Sequence, residues 1–529
     1  MNATFGRLLA AALPGEGRGM RNAVIIDPND NVVVAIYPLK AGEEVAYPLP
    51  DGTEGHLTAN QDIPLFHKLA RFDIECGQEV IKYGEYIGVA TTAIKAGDHV
   101  HTHNCVSTDA QKDAGDATAA AAATPNQAPA PAASAAPAPH PTRTFLGYRR
   151  ADGTVGIRNH VLILPTSICA SDTTERIARA VAGCVTFHNQ NGCSQVNRDQ
   201  QLTIDTLAGL AANPNVHSVL VVSLGCEGCQ NDLVVSAIAE RTNKEVRTLV
   251  IQEVGGSIRA VEEGTRIARE LAAQAATCQR KECGIDELIF GTNCGGSDTS
   301  SGLGSNPLIG EVSDWMVANG ATTVLCETPE IFGGEHILAR RAATPEVGEQ
   351  VLKIVRDYER YVQMFGAEMR EGNPSPGNMA GGLTTLEEKS LGCIHKAGHS
   401  PVNAVYGYAQ QLRAHEGLVI MDTPGNDPSS VGGIIAGGCQ LVVFSTGLGT
   451  PTGNAIAPVL RLTANGRTAK TMADNIDFDA QATIYGPQTM EELRDALIDQ
   501  IIAVCNGEPT RAEALGYTET ALPHLCNYM

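Results

Sequence analysis

From residue 143 onward, runs of consecutive apolar residues alternate with stretches whose apolar positions recur every three or four residues. HVLILPTSI, VHSVLVVSLG, ELIFGTN and TTVL read as short buried strands. TTERIARAVA, DLVVSAIAERTN, SIRAVEEGTRIARELAAQAA, VSDWMVANG and VGEQVLKIVRDYERYVQMF read as the helices between them. That alternation predicts βαβ units and a largely parallel sheet. GLVIMDTPGND, CQLVVFSTGLGTPTG and NAIAPVLRLTANG continue the pattern, with strands ending in Gly/Thr-rich turns. No repeat of fixed period runs through the region. We divide it into an α/β domain over 143–390 and a second over 391–529.

Residues 20–105 follow a different rule. AVIIDPNDNVVVAIYPL, AGEEVAYPL, EVIKYGEYIGVATTAI and AGDHVHTH are short β-type segments joined by turns, as in a compact β-clip. Between the modules, 106–142 is Ala/Pro-rich and nearly devoid of large apolar groups. Such a composition cannot bury enough surface to fold and reads as a flexible linker. The fold class expected is α/β, with a small N-terminal β-clip and a large C-terminal region.

Composition narrows the function. A chain of 529 residues is too long for one core. A net charge of −21 repels polyanions, and 4% aromatics leaves little to stack on bases, so nucleic acid is not an expected partner. No window approaches the ~20 apolar residues of a spanning helix. The N-terminal LLAAAL is too short for a signal-peptide core and reads as part of an extension. Fifteen cysteines, an odd number without a signal, read as reduced thiols in a cytoplasmic protein.

The cysteines are also the first candidate chemistry. Cys169, Cys226, Cys294 and Cys326 each follow a strand-like run, where an open α/β sheet binds its ligands. Cys193, Cys226 and Cys294, in Gly-flanked turns, are the candidate metal ligands, and Cys169 stays open. Three thiolates suit a [4Fe–4S] cluster with one free iron. A single Fe2+, Mn2+ with a richer oxygen shell, or a structural zinc are the alternatives. Cys76, Cys184, Cys278, Cys283, Cys439, Cys505 and Cys526 read as small core residues.

In the β-clip, His101 and His103 would share one face of a strand, and His67-Lys68 and Lys82-Tyr83 add further polar groups. His67, Lys82, His101 and His103 are the candidate acid–base set, with Lys68 and Tyr83 on substrate. Arg158, Asn159, Ser297, Asp298, Asn378, Thr446 and Thr450 sit in polar turns that could hold an anionic substrate.

The runs GYRRADGTVGIRNHVLILPT, NGCSQ, NPNVHSVLVVSLGCE, CGGSDTSSGLGSNP, NPSPGN, GGLTTLEEKSLG, TPGND and FSTGLGTP resemble the altronate/galactarate dehydratase (UxaA) family. DIPLFHKLARFDI, VIKYGEYIG and HTHN resemble its N-terminal SAF domain. The resemblance implies elimination of water from a hydroxy acid, with a ferrous-type metal. It places the family's cysteine turns on Cys193, Cys226 and Cys294, and its SAF histidine on His67. A related sulfo-lyase acting on sulfolactate and a non-catalytic sugar-acid sensor are the alternatives. A homodimer or higher homo-oligomer is expected. The chain departs from the family at Phe66 (Gly in the pattern GHK), at Leu448 (Arg in TGRGTP) and at His188-Asn-Gln-Asn-Gly-Cys193 (HxYGC). Leu448 removes a guanidinium, so the expected substrate is shorter or less polar at its far end than altronate or galactarate.

Overall fold

The computed structural model describes residues 21–49, 51–107, 143–526 and 528. Most of the expected linker and the N-terminal extension lie outside them.

The N-terminal module is antiparallel. Ala23–Val24, Val32–Ala35, Lys68–Ala70 and His99–Val100 form one sheet in that order. Glu44–Pro48 with Glu54–Thr58, and Glu79–Lys82 with Glu85–Ala90 and Cys105–Val106, fold over it. Val106 therefore closes a strand rather than opening the linker. Val33, Val45, Ile63 and Leu69 make the module's own core. Phe66, Tyr83, Ile87 and Val100 join a second core with Leu303, Leu386 and Leu391 of the large region. The clip is thus docked through apolar surface.

The large region holds two parallel sheets. In the first, Cys184–Val185, His160–Pro165, Val216–Ser223 and Val246–Val250 lie side by side. The second has seven strands, ordered Val402–Tyr406, Gly417–Met421, Thr322–Leu325, Ile289–Cys294, Leu441–Ser445, Val459–Thr463 and Phe478–Asp479. Its central strands are buried end to end, as expected when helices cover both faces. The boundary at 390/391 does not match this layout. Strands on both sides of it pair within one sheet, and it cuts the helix Leu386–Cys393. The division falls instead between the first sheet, ending at Val250, and the second, opening at Ile289.

Helix Asn197–Ala212 of the first sheet packs on helix Asp427–Ala436 of the second, where Gly209 meets the Ala436 carbonyl. Just past the first helix, Asn213 donates to the carbonyls of Ile435 and Cys439 at 2.8 and 2.9 Å. Each helix follows the carboxyl end of a strand in its own sheet, and their far ends coincide. The carboxyl edges of both sheets therefore open on the same side of the molecule.

Candidate active site

The clip brings four imidazoles to its contact with the large region. Phe66 has a left-handed backbone, φ 67°, which turns the chain just before the strand Lys68–Ala70. Its carbonyl oxygen lies only 2.3 Å from where a Cβ on Gly382 would stand, so this contact requires glycine. Next to it, His67 Nδ1 shares a proton with His99 Nε2 at 2.9 Å, and His67 Nε2 donates to the Ala380 carbonyl at 3.2 Å. His101 Nδ1 pairs with Thr384 Oγ1 at 3.3 Å, and the His103 ring lies 5.2 Å from that of His99.

His101 and His103 fall in a turn after the strand His99–Val100, so they do not share a strand face. His99, outside the candidate set, is the direct partner of His67. Burial lowers all three buried imidazoles; Lys68 adds to it at His67 and His101, and the neighbouring imidazoles add to it at His99, so that His67 falls below its usual range, His99 to about 3 and His101 to about 4. His67, His99 and His101 are therefore neutral at pH 7.

The sign of the cluster's pH dependence follows. Below about 6.5 the unfolded chain binds protons that the folded cluster refuses, so stability falls with pH. We expect the cluster's contribution to be complete above pH 6.5 and to be lost progressively down to about 3. Denaturant titrations at stepped pH, compared with His99→Asn, check this; an unchanged slope in the variant would assign the effect elsewhere.

The two lysines do different work from that expected. Lys68 Nζ donates to both oxygens of Glu388, at 2.9 and 2.8 Å, and to the Gly382 carbonyl at 2.8 Å. Lys82 Nζ donates to Glu388 Oε1 at 2.7 Å. All three side chains are wholly buried. Burial alone would raise the Glu388 carboxyl, but Lys68 and Lys82 draw it down to about 2. Lys82 is thus no catalytic group and Lys68 no substrate ligand; together they fasten the clip to the helix Leu386–Cys393.

Tyr83 is also buried, packed against Gly302 and Gly392. Arg158 is bound by Glu513 and the carbonyls of Ile157, Val504 and Glu508, and Asn159 joins Arg150 to the Ala275 carbonyl. None of these three is placed to hold a substrate.

The other polar turns do meet at the seven-stranded sheet's carboxyl edge. Asn378 Nδ2 donates to the Ser297 carbonyl at 2.7 Å. Asp298 accepts from Ser300 Oγ at 2.5 Å and Asn465 Nδ2 at 2.7 Å. Gly381, next to the carbonyl that His67 touches, has its Cβ position 2.6 Å from the Asp298 Cβ. Thr446 Oγ1 accepts from the amides of Gly449 and Thr450, shaping the loop that leaves Leu448 46% exposed. The Cβ positions of Gly296 and Gly377 face Leu448, and that of Gly296 lies 2.6 Å from Thr450 Oγ1. The imidazole cluster and these loops thus adjoin at the carboxyl edge, where an open α/β sheet takes ligands.

Deeper in the same edge, Lys396 Nζ donates to Cys294 Sγ at 2.8 Å, Cys393 Sγ at 3.0 Å and Glu327 Oε2 at 2.8 Å. Burial works against the Lys396 cation, yet Cys294, Cys393 and Glu327 hold its pKa well above the usual value. Glu327 takes a left-handed backbone, φ 70°, a strain that concentrates at functional sites. Cys393, Lys396 and Glu388 escaped the sequence reading. The available signal was the charged run LEEKSLGCIHK, with a cysteine and a lysine three residues apart.

Cys294 does not join Cys193 and Cys226. The latter two are exposed at the carboxyl edge of the four-stranded sheet, with Cys169. Among the described residues the donors within 4.8 Å of one another are Cys294, Glu327 and Cys393, and the exposed set Asp172, Glu175 and His188. Cys76, Cys278 and Cys526, expected in the core, are exposed. No described helix is long and apolar enough to cross a membrane.

Three family models match the chain: the altronate/galactarate dehydratase SAF domain over 21–108, the D-galactarate dehydratase/altronate hydrolase second domain over 147–276, and the D-galactarate/altronate dehydratase C-terminal domain over 285–527. Altronate dehydratase of Escherichia coli is 36% identical over 93% of this chain and 97% of its own length. Altronate dehydratase of Bacillus subtilis is 34% identical over 95% and 99%. The (2R)-sulfolactate sulfo-lyase subunit beta of Chromohalobacter salexigens is 38% identical over 72% of this chain and 98% of its own.

Proposed function

This chain belongs to the altronate/galactarate dehydratase family, and from that premise we propose that it removes water from a polyhydroxy sugar acid. The observation that carries the reading is the His67–His99 pair held against the Asp298–Asn378 loops by a buried ion triad. A base takes the proton from the carbon beside the carboxylate, and the β-hydroxyl leaves as water. The resulting enol becomes a 2-oxo acid, so the substrate loses one water and no redox partner is needed. His67 is the base in the tautomer whose Nδ1–H donates to His99 Nε2; substrate then takes the place of the Ala380 carbonyl at Nε2, whose lone pair receives the proton, while His99 orients the ring. Ser297, Asp298, Asn378, Thr446 and Thr450 shape the wall along which the polyhydroxy chain lies.

The family resemblance implies ferrous-type iron, which would supply a Lewis acid for the leaving hydroxyl. The Cys294–Cys393–Glu327 set does not fit it, because the Lys396 ammonium already fills the centre and balances the charge. The imidazoles are suitable donors, yet no three of them close within 4.8 Å. The exposed thiols of the four-stranded sheet are the set whose chemistry fits iron.

Anaerobic incubation with iron, reductant and either D-altronate or galactarate is expected to give a 2-oxo acid. Its absence with both acids and with shorter aldonates would overturn the reading. The second reading, sulfite release from sulfolactate, is favoured by the 38% identity to the sulfo-lyase subunit; sulfite assay in the same incubations separates the two.

Position 448 tunes specificity. Leu448 cannot hold a distal carboxylate or hydroxyl as a guanidinium would. We expect a preference for acids shorter or less polar at the far end, and Leu448→Arg to shift kcat/KM toward altronate or galactarate by about tenfold to a hundredfold. If either six-carbon acid is already the best substrate of the wild type, this role for Leu448 fails.

A further inference from the structure

We propose that Cys169, Cys193 and Cys226 are the three thiolate ligands of a [4Fe–4S] cluster at the carboxyl edge of the four-stranded sheet. Free cysteines are ordinarily buried, yet four of the six exposed ones gather here: Cys169, Cys193, Cys226 and Cys526, against Cys76 and Cys278 elsewhere. Cys169 lies in the first turn of the helix Ile168–Arg179, Cys193 in the loop after Cys184–Val185, and Cys226 in the loop after Val216–Ser223. The strands ahead of them are neighbours in the sheet.

The three turns are tied to one another. The Ile168 amide donates to the Asn191 carbonyl at 3.2 Å, and the Cys229 amide to the Gly192 carbonyl at 2.9 Å. Gly192, at φ 100°, has its Cβ position 2.1 Å from the Thr166 carbonyl oxygen, so the Cys193 loop is pressed onto the turn before Cys169. Ser194 and Gly225, each beside a candidate ligand, also have positive φ, of 54° and 119°. A chain that accepts such conformations next to Cys193 and Cys226 holds those two thiols in set positions.

A second observation points to a missing ligand. Ser167 and Ser223, at the ends of the two central strands, are buried, and their hydroxyls have no hydrogen-bond partner among the described residues. Buried hydroxyls ordinarily have one, and inorganic sulfide or a substrate oxygen would supply it.

The three sulfurs do not form a group within 4.8 Å among the described residues. Ligands at about 2.3 Å on one tetrahedral zinc sit about 3.8 Å apart. Thiolates of a cubane bind separate irons and need not lie that close. Binding releases the three thiol protons and leaves one iron without protein sulfur. A Lewis-acid role for that iron rests on the dehydratase reading; the ligand assignment does not. The site faces the same side as the imidazole cluster and its loops, and the C-terminal tail runs from Thr520 on Asn454 to Leu525 on Asp199.

The full chain, reconstituted anaerobically with ferrous iron and sulfide, is expected to hold about four irons and four acid-labile sulfides. Cys169→Ser, Cys193→Ser and Cys226→Ser should each lower both at least fourfold, while Cys76→Ser, Cys278→Ser and Cys526→Ser retain them. Iron without labile sulfide, full loading in any of the first three, or loss in Cys526→Ser overturns the assignment. The wild type gives an independent reading. Iodoacetamide should spare these three thiols until ferricyanide destroys the cluster, and equal labelling before and after overturns the proposal. Because loading is read apart from turnover, failure to load sinks this inference alone, and a loaded protein without dehydration sinks the functional reading alone.

Discussion

Glu388→Gln is expected to cost about 3–5 kcal/mol of stability, because it leaves two buried ammonium groups facing a neutral amide. Lys68 and Lys82 have no water to turn to, and the Gly382 carbonyl serves only Lys68. The loss should concentrate at the docked clip. Hydrogen exchange should quicken in Lys68–Ala70 and Glu79–Lys82, while the seven-stranded sheet stays protected. Activity should fall with it, since His67 is positioned from the same strand. The triple change Lys68→Met, Lys82→Met, Glu388→Leu removes every charge at once and should recover most of the stability. Unchanged exchange in Glu388→Gln would show that apolar contact alone holds the clip.

His67→Gln is expected to lower kcat/KM by about 10²–10⁴, the usual worth of a positioned acid–base group, with little change in unfolding. Glutamine keeps a donor for the Ala380 carbonyl and much of the side-chain volume, so packing is largely spared. His101→Gln, whose ring pairs with Thr384 rather than within the His67–His99 couple, should cost less. The pH profile separates chemistry from packing. The wild-type acid limb reports the His67–His99 pair, and in His67→Gln that limb should move or vanish. A His67→Gln enzyme with a normal profile and near-normal turnover would remove His67 from the reaction.

Much was legible before any fold was seen. The unbroken apolar runs of HVLILP, VHSVLVVS and LVVFS could be buried only in a parallel sheet covered by helices, and they are. The break in pattern at the Ala/Pro-rich stretch separated the clip from the α/β region. His67 was named by its side-chain type and by the resemblance to the SAF domain, not by any sign of what it would meet.

Side-chain type and spacing along the chain therefore determined the elements, the two kinds of module and the kinds of chemistry on offer. Which groups meet was decided only by tertiary structure. Lys82 looked like an active-site cation, but Glu388, 306 positions away, makes it part of a buried ion triad. Cys294 looked like a partner of Cys193 and Cys226, but strand order sends it to the other sheet, beside Cys393 and Lys396. His99 lay outside the candidate set, and only the strand pairing of Lys68–Ala70 with His99–Val100 sets it against His67. Local sequence carries propensity and period, whereas a charge becomes structural or catalytic only through what a distant segment places within about 3 Å of it.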